Sequence, residues 1–328
     1  MADTTDKTTG LVHACLLDGN GGGRDVTWSE ARDWQPKDGV LWLHFDRSST
    51  HAQDWVRNES GLDPLAAEAL FEVETRPRCI NFSGGMLVIL RGVNLNPGAE
   101  PEDMVAIRLW IDEHRVISVR SVALLAAQDT RKDILENCGP NDSASLLTAI
   151  ANRLVDRMGP IIDDMSDEVD ELDEDLQTSQ SRDVRKHLLH ARREAIMLRR
   201  YLAPQRDALA RLYQEENPLI DVGNRLRLRE TADRVQRIVE ELDEVRERAA
   251  IIQDELSTRL SEQINRTMYV LTVVASFVMP LSFVTGLLGI NVGGIPGAET
   301  DWAFLIVIGL LAIMAALQIF IFKRLKWM

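Results

Sequence analysis

Between Asp163 and Asp175 the chain carries nine carboxylates and no basic residue. At helical spacing Asp163, Asp167, Asp170 and Glu174 share one face, and Asp164, Glu168, Glu171 and Asp175 share another. Like charges at i, i+4 repel by about 0.2–0.5 kcal/mol per pair. Such a helix is either solvated or relieved by bound cations. His187 and His190, at i and i+3, have the spacing of a shared metal site and equally of an ordinary polar face. A third set carries no charge. It is centred on Asn291 in the stretch TGLLGINVGGIPG, Thr285 to Gly297, and preceded by Thr272, Ser276 and Ser282. Neutral amide and hydroxyl oxygens can hydrogen-bond the waters of a hydrated cation while binding it weakly enough to let it go. Glu299 and Asp301 follow and would concentrate cations by electrostatic focusing. All three sets are compatible with cation chemistry, the first two equally with a solvated polar face. There is no phosphate loop, G-x-S-x-G or HExxH, and nothing calls for an enzyme or a resident cofactor. His44 and His114 sit in strand-like surroundings and read as structural.

The 328 residues carry a formal net charge of −14, which excludes a nucleic-acid partner, because phosphate binding needs a basic surface. Cys15, Cys79 and Cys138 are too far apart in sequence for a CxxC or zinc pattern and suggest a reducing compartment. The first ten residues, MADTTDKTTG, have no apolar core, so no signal peptide is expected there.

These sets must be positioned by two kinds of element. Residues 268–288 and 303–322 contain no charged side chain, and each run is long enough to cross a hydrocarbon layer of about 30 Å. The intervening loop, 289–302, has acids and no Lys or Arg. Arg259 and Arg266 precede the first span, and Lys323, Arg324 and Lys326 follow the second in a basic tail, 323–328. Positive flanks stay in the cytoplasm, which places both termini inside and the glycine-rich loop outside. Trp302 and Trp327 would mark the two interfaces.

The rest forms the body. Residues 1–142 alternate strands and helices: LVHACLLD and GVLWLHFDR as strands, PLAAEALF as a helix capped by Asp63, and hairpins turning at Gly84-Gly85 and near Asp112–His114. Residues 143–222 are helical, with Pro160 at a kink or restart. Met158, Ile162, Met165, Val169, Leu172 and Leu176 make a packing seam on the acidic helix. A basic helix, about 182–201, is its expected antiparallel partner. From 223 to 288 a stalk helix runs into the first span. Its stripe Val235, Ile238, Leu242, Val245, Ala249, Ile252 and Leu256 repeats by heptads, and Asn224 to Leu288 would span roughly 100 Å.

One two-helix hairpin cannot enclose a pore, so several copies must assemble, with one helix inside. The second span is the more uniformly apolar and belongs outside. On the first, Asn265, Met268, Leu271 or Thr272, Ala275, Met279, Ser282 and Gly286 fall near one face. That face is polar at both ends and apolar at mid-depth, and rings of Met268, Leu271 and Met279 would gate by dewetting.

The motif GIN at Gly289, Ile290 and Asn291 closes a first span containing Met279-Pro280 and is followed by one more span and a basic tail. This resembles the CorA superfamily of divalent-cation transporters, whose usual motif is Gly-Met-Asn. GINVGGIPG (289–297), ETRPR (74–78) and RRYLAPQRD (199–207) are similar to the ZntB zinc-transporter branch. The resemblance implies an α+β cytoplasmic domain, long helices and a C-terminal transmembrane hairpin in a funnel-shaped homopentamer of the bacterial inner membrane. It implies uptake of Zn2+, extending to Cd2+, Ni2+ or Co2+, with Asn291 as a ring at the outer mouth. A CorA-type magnesium or cobalt channel is the alternative. Proton coupling is also implied, yet no Asp, Glu, His, Lys or Arg lies between Thr267 and Ala298 to relay a proton. In CorA relatives, intersubunit carboxylates bind cations that hold the channel closed, a role open to Asp163, Asp167, Asp170 and Glu174.

Overall fold

The computed structural model describes residues 8–175, 181–289 and 300–324. Cα packing divides the chain into two units, Met1–Gln253 and Asp254–Met328. The first is built on one sheet of seven strands: β1 (Leu11–Leu17), β2 (Gly23–Asp25), β3 (Val40–Asp46), β4 (Arg78–Phe82), β5 (Gly85–Gly92), β6 (Val105–Ile111) and β7 (Arg115–Arg120). The order is β2-β1-β3-β7-β6-β5-β4. Neighbours are antiparallel except β3 and β7, which run parallel with Leu43 opposite Ile117. The helices are α1 (Trp28–Asp33), α2 (Thr50–Asn58), α3 (Pro64–Phe71), α4 (Leu125–Leu135), α5 (Ser143–Asp156), α6 (Gly159–Asp175), α7 (Ser181–Gln214), α8 (Val222–Leu288) and α9 (Ala303–Arg324).

Local chemistry accounts for several of these elements. Asp63 accepts from the Leu65 amide at 2.8 Å and Pro64 opens α3, a capped start with a preset φ. Phe82 pairs with Gly85 across a two-residue turn in which Gly84 has φ +92°, a conformation that glycine adopts without cost. Asp112 turns the β6–β7 hairpin by accepting from the His114 amide, the Trp110 indole and the Arg115 guanidinium.

Both faces of the sheet are covered, so β6 is buried at every position, as in a sheet sandwiched between helices. One core joins Leu41, Leu43, Phe45, Leu87, Ile89 and Trp110 to α2 and α3. The other joins Trp42, Val88, Leu90, Ile107 and Leu109 to α4, α5 and the long helices. Met158, Ile162, Met165, Val169 and Leu172 are all buried in it; Leu176 lies outside the described residues. The helices after residue 142 therefore close over the core of the sheet itself. The change near 142 is one of secondary structure, and the compact unit extends to Gln253.

Charge does not match α6 to α7 as expected. Among the described ion pairs, His187 and Glu168, at 3.2 Å, link those two helices. Asp170 pairs instead with Arg248 of α8, and Arg199 of α7 reaches Asp243 of α8 at 2.7 Å. The apolar seam fixes the packing, and the long arginines reach sideways to whichever carboxylate the seam brings near.

His44 is fully buried, with Nδ1 2.6 Å from Ser118 Oγ, which also accepts from Trp42 Nε1 at 2.7 Å. His13 stacks on it with ring centroids 4.8 Å apart. Burial, then the neighbouring Arg120, pushes His44 down to about 3; burial, then His44, Arg131 and Arg120, holds His13 well below its ordinary value. His114 lies at the hairpin tip beside Glu113, 3.8 Å away. The unfolded chain binds protons at these two buried sites below about pH 6.5, whereas the folded chain does not until much lower. Stability from the neutral rings is thus fully present above pH 6.5 and lost as pH falls toward 3. For His44 alone the loss at pH 5 is about 2 kcal/mol. Hydrogen exchange of β1 and β3 amides in the whole protein should lose at least about 30-fold protection between pH 7.5 and 5, after correction for intrinsic rates, with His13 adding to the loss from His44. His44→Gln should reduce that dependence; protection unchanged with pH would contradict the assignment.

Candidate functional site

The second unit contains the end of α8 and all of α9. Both helices hold stretches long and apolar enough to span a membrane, and neither stretch is buried within the chain. Pro280 lies inside α8 and removes the amide that would serve the Ser276 carbonyl. The helix continues to Leu288, and the Gly289 amide closes on Thr285 O at 2.9 Å. A Cβ on Gly289 would stand 3.1 Å from that carbonyl, whereas Gly286 has open space around it.

Asn265, Met268, Leu271, Thr272, Ala275, Met279, Ser282 and Gly286 are all exposed. The half-buried residues of the span are Val273, Ser276, Phe277, Pro280, Leu281 and Val284. At about 100° per residue the two sets are centred roughly 160° apart around the helix. On α9 the half-buried residues Val307, Leu311, Met314, Ala315 and Gln318 also form one stripe. Each span thus has one less exposed stripe along its length. Sequence spacing alone did not single out the stripe on α8. Ser276, one of the polar residues of the span, belongs to it and not to the open face. The hydroxyls of Thr272 and Thr285 donate to Met268 O and Leu281 O, at 2.7 and 3.1 Å. This satisfies their protons inside the helix and leaves oxygen lone pairs outward.

Ile290, Asn291 and Glu299 lie outside the described residues. Asp301 and Trp302 lie in an exposed turn at the start of α9.

The carboxylates of α6 do not converge within one chain. Asp163, Asp167 and Glu174 are exposed and Asp170 is held by Arg248. Among the described residues no group of three or more His, Cys, Asp and Glu side chains is placed to hold a metal. Glu241 of α8 has its carboxyl pushed up, by burial first and then by Asp163. His187 and His190 face separate carboxylates, Glu168 at 3.2 Å and Glu194 at 3.4 Å, rather than a common point.

An α/β unit whose last helix continues into an uncharged span, followed by a second span, defines a membrane protein with a large extramembrane body. The family model described as "CorA-like Mg2+ transporter protein" matches residues 37–324, and the chain belongs to that family. It is 40% identical over 323 residues to the "Divalent cation transporter CmaX" of Pseudomonas aeruginosa, covering 97% of each chain. It is 34% identical over 320 residues to the "Zinc transport protein ZntB" of Pectobacterium carotovorum, covering 98% of this chain and 97% of that one. The solved structure of full-length CmaX superposes with a TM-score of 0.86 at 39% identity, over 97% of this chain and 98% of that chain. The fold is therefore that of the CorA-like transporters, and the class of function is divalent-cation transport in a membrane.

The surroundings of α6 predict opposite signs for two neutralisations. Asp163→Asn removes a repulsion on Glu241 and should leave thermal stability unchanged or slightly raised in metal-free buffer. Asp170→Asn leaves Arg248 with only Glu244 among the described residues, at 3.8 Å, and should lower it, by no more than about 1 kcal/mol for a part-exposed pair. Thermal unfolding of the two variants side by side checks this; equal shifts would contradict it.

Proposed function

We propose that this chain moves Zn2+ inward across the bacterial inner membrane, through a pore lined by the first span of a homopentamer. The observation that carries the reading is the uncharged, exposed face of α8 from Met268 to Gly286, on the side away from the half-buried stripe. In the pentamer these faces surround the axis. Asn291 of each subunit forms a ring of amides at the outer mouth, and Gly289 and Ile290 set the turn that presents it. Met268, Leu271 and Met279 form apolar constrictions, with Thr272, Ala275, Ser282 and Gly286 between and above them and Asn265 at the inner end. Glu299 and Asp301 gather cations outside. The basic tail and the arginines before the first span keep both termini in the cytoplasm.

An inside-negative potential gives a dication about 4.6 kcal/mol per 100 mV, so entry needs no nucleotide. The lining offers oxygen and thioether groups but no Cys or His between Thr267 and Gly289, so the ion passes with much of its water. Zinc as cargo is supported by the relatives named for zinc transport and by the shared GINVGGIPG, ETRPR and RRYLAPQRD stretches. The same lining would accept Cd2+, Ni2+ or Co2+. At an interface between subunits, exposed Asp163, Asp167 and Glu174 would meet a neighbour's charges and sense internal cations, with Asp170 joining them on release from Arg248.

Dye-loaded proteoliposomes test the cargo. Zn2+ should enter faster than Mg2+ at equal concentration, and Asn291→Leu should abolish entry of both. Faster Mg2+ entry would replace zinc with the magnesium or cobalt reading while keeping the pore. Coupling to protons, if it runs through the outer loop, should disappear in Glu299→Gln/Asp301→Asn; a full pH-dependence of zinc entry in that variant removes these acids from the coupling.

A further inference from the structure

Where the first span begins, α8 carries a groove that none of the roles above uses. It is open, holds about 540 Å³, and is lined by Gln263, Arg266, Thr267, Val270, Leu271 and Val274. At about 100° per residue its centre lies roughly 130° around the helix from the open face, with Leu271 at the shared edge. The groove is thus a lateral feature of the second unit and not part of the pore face.

Its lining changes character along the helix axis. Gln263, Arg266 and Thr267 form the first turn, before the uncharged stretch starts at Met268. Val270, Leu271 and Val274 form the next two turns, inside that stretch. A polar end at the boundary of the hydrocarbon layer and an apolar end within it match an amphiphile lying along the helix. The polar end is a surplus of donors. Among the described residues no carboxylate pairs with Arg266, including the exposed Glu262 one turn earlier. Arg259, two turns earlier, is by contrast held by Glu255. The Thr267 hydroxyl donates to Gln263 O at 2.9 Å, which leaves Arg266 and the Gln263 amide as the donors facing an occupant. On the same side of the layer α9 ends in Lys323 and Arg324, both exposed.

We propose that this groove holds an anionic phospholipid, with its phosphate on Arg266 and Gln263 and a chain along Val270 and Val274. The apolar turns set the site apart from one for free phosphate, which would gain nothing from them. The unpaired guanidinium selects a net-negative headgroup over a zwitterionic one. The proposal rests on membership in a membrane-transporter family and not on the cargo or on which residues line the pore.

Purified full-length protein in detergent, offered equal amounts of palmitoyl-oleoyl phosphatidylglycerol and phosphatidylcholine, should retain the anionic lipid preferentially in native mass spectra. Arg266→Gln should cut that preference about fivefold, the worth of one basic side chain near an anionic surface. Arg259→Gln should leave it unchanged. Val274→Trp fills the apolar end and spares the cation; it should lower retention of phosphatidylglycerol as well, and it decides the matter if Arg266→Gln does not fold. Excess inorganic phosphate should not displace the lipid. Equal retention of the two lipids, or a preference untouched by Arg266→Gln and Val274→Trp, would overturn the proposal. So would displacement by inorganic phosphate, which would leave an anion site without a lipid. Disulfide-linked copies through Val274→Cys, in a chain with Cys15, Cys79 and Cys138 replaced, would put a second copy in the groove and overturn it too.

Discussion

A hydrocarbon layer cannot hydrogen-bond a peptide group, and that constraint governs how this chain is built. Any segment inside the layer must satisfy its backbone within itself, so the two uncharged stretches are helices. The hydroxyls of Thr272 and Thr285 follow the same rule by turning back onto carbonyls of their own helix. Pro280 strains the rule in the first span, and it lies on the half-buried stripe. With only two spans per chain, one side of α8 is half-buried and the other must be covered by copies of the chain or face water. The open side is where uncharged polar and small residues alternate with methionine.

The same helix serves two environments with two patterns. Within the first unit α8 buries Leu228, Val235, Ile238, Leu242, Val245, Ala249 and Ile252 in the core that also holds the sheet. Beyond Gln253 its residues are largely exposed within the chain. Apolar contacts decide the packing of the long helices, and charge follows. Asp170 with Arg248 and Asp243 with Arg199 are pairs between helices that the seam has already aligned. Exposed or half-exposed pairs of this kind contribute little to stability, which is why an acidic helix and a basic helix adjacent in sequence need not match charge for charge.

Much of this was legible in the sequence. Alternation, turn residues and the Asp63 cap marked β1, β3, β4 to β7 and α3 near their observed limits, because those elements are specified by neighbours within a few residues. The heptad stripe marked α8. The parallel pairing of β3 with β7 was not legible, since it joins residues about seventy positions apart through packing alone. Neither was the three-residue β2, too short to carry a period. His13 gave no signal either, since a histidine in an apolar strand looks the same whether it is buried or at an edge. At the candidate site, the open face of α8 followed from spacing, whereas the half-buried stripe came only from the structure. ETRPR was visible as a resemblance, but its place over Arg91, which donates to Thr75 O at 2.9 Å, depends on sheet register and could not be read locally.

The central claim is that the open face of α8 borders water in the assembled protein while the opposite stripe does not. Single cysteines placed from Met268 to Gly286, in a chain with Cys15, Cys79 and Cys138 replaced, test this in reconstituted vesicles with a membrane-impermeant thiol reagent. The account predicts reaction, with loss of cation flux, at positions 272, 275, 279, 282 and 286, and protection at 273, 277, 281 and 284. Protection of the first set, or reaction at the second, would contradict it.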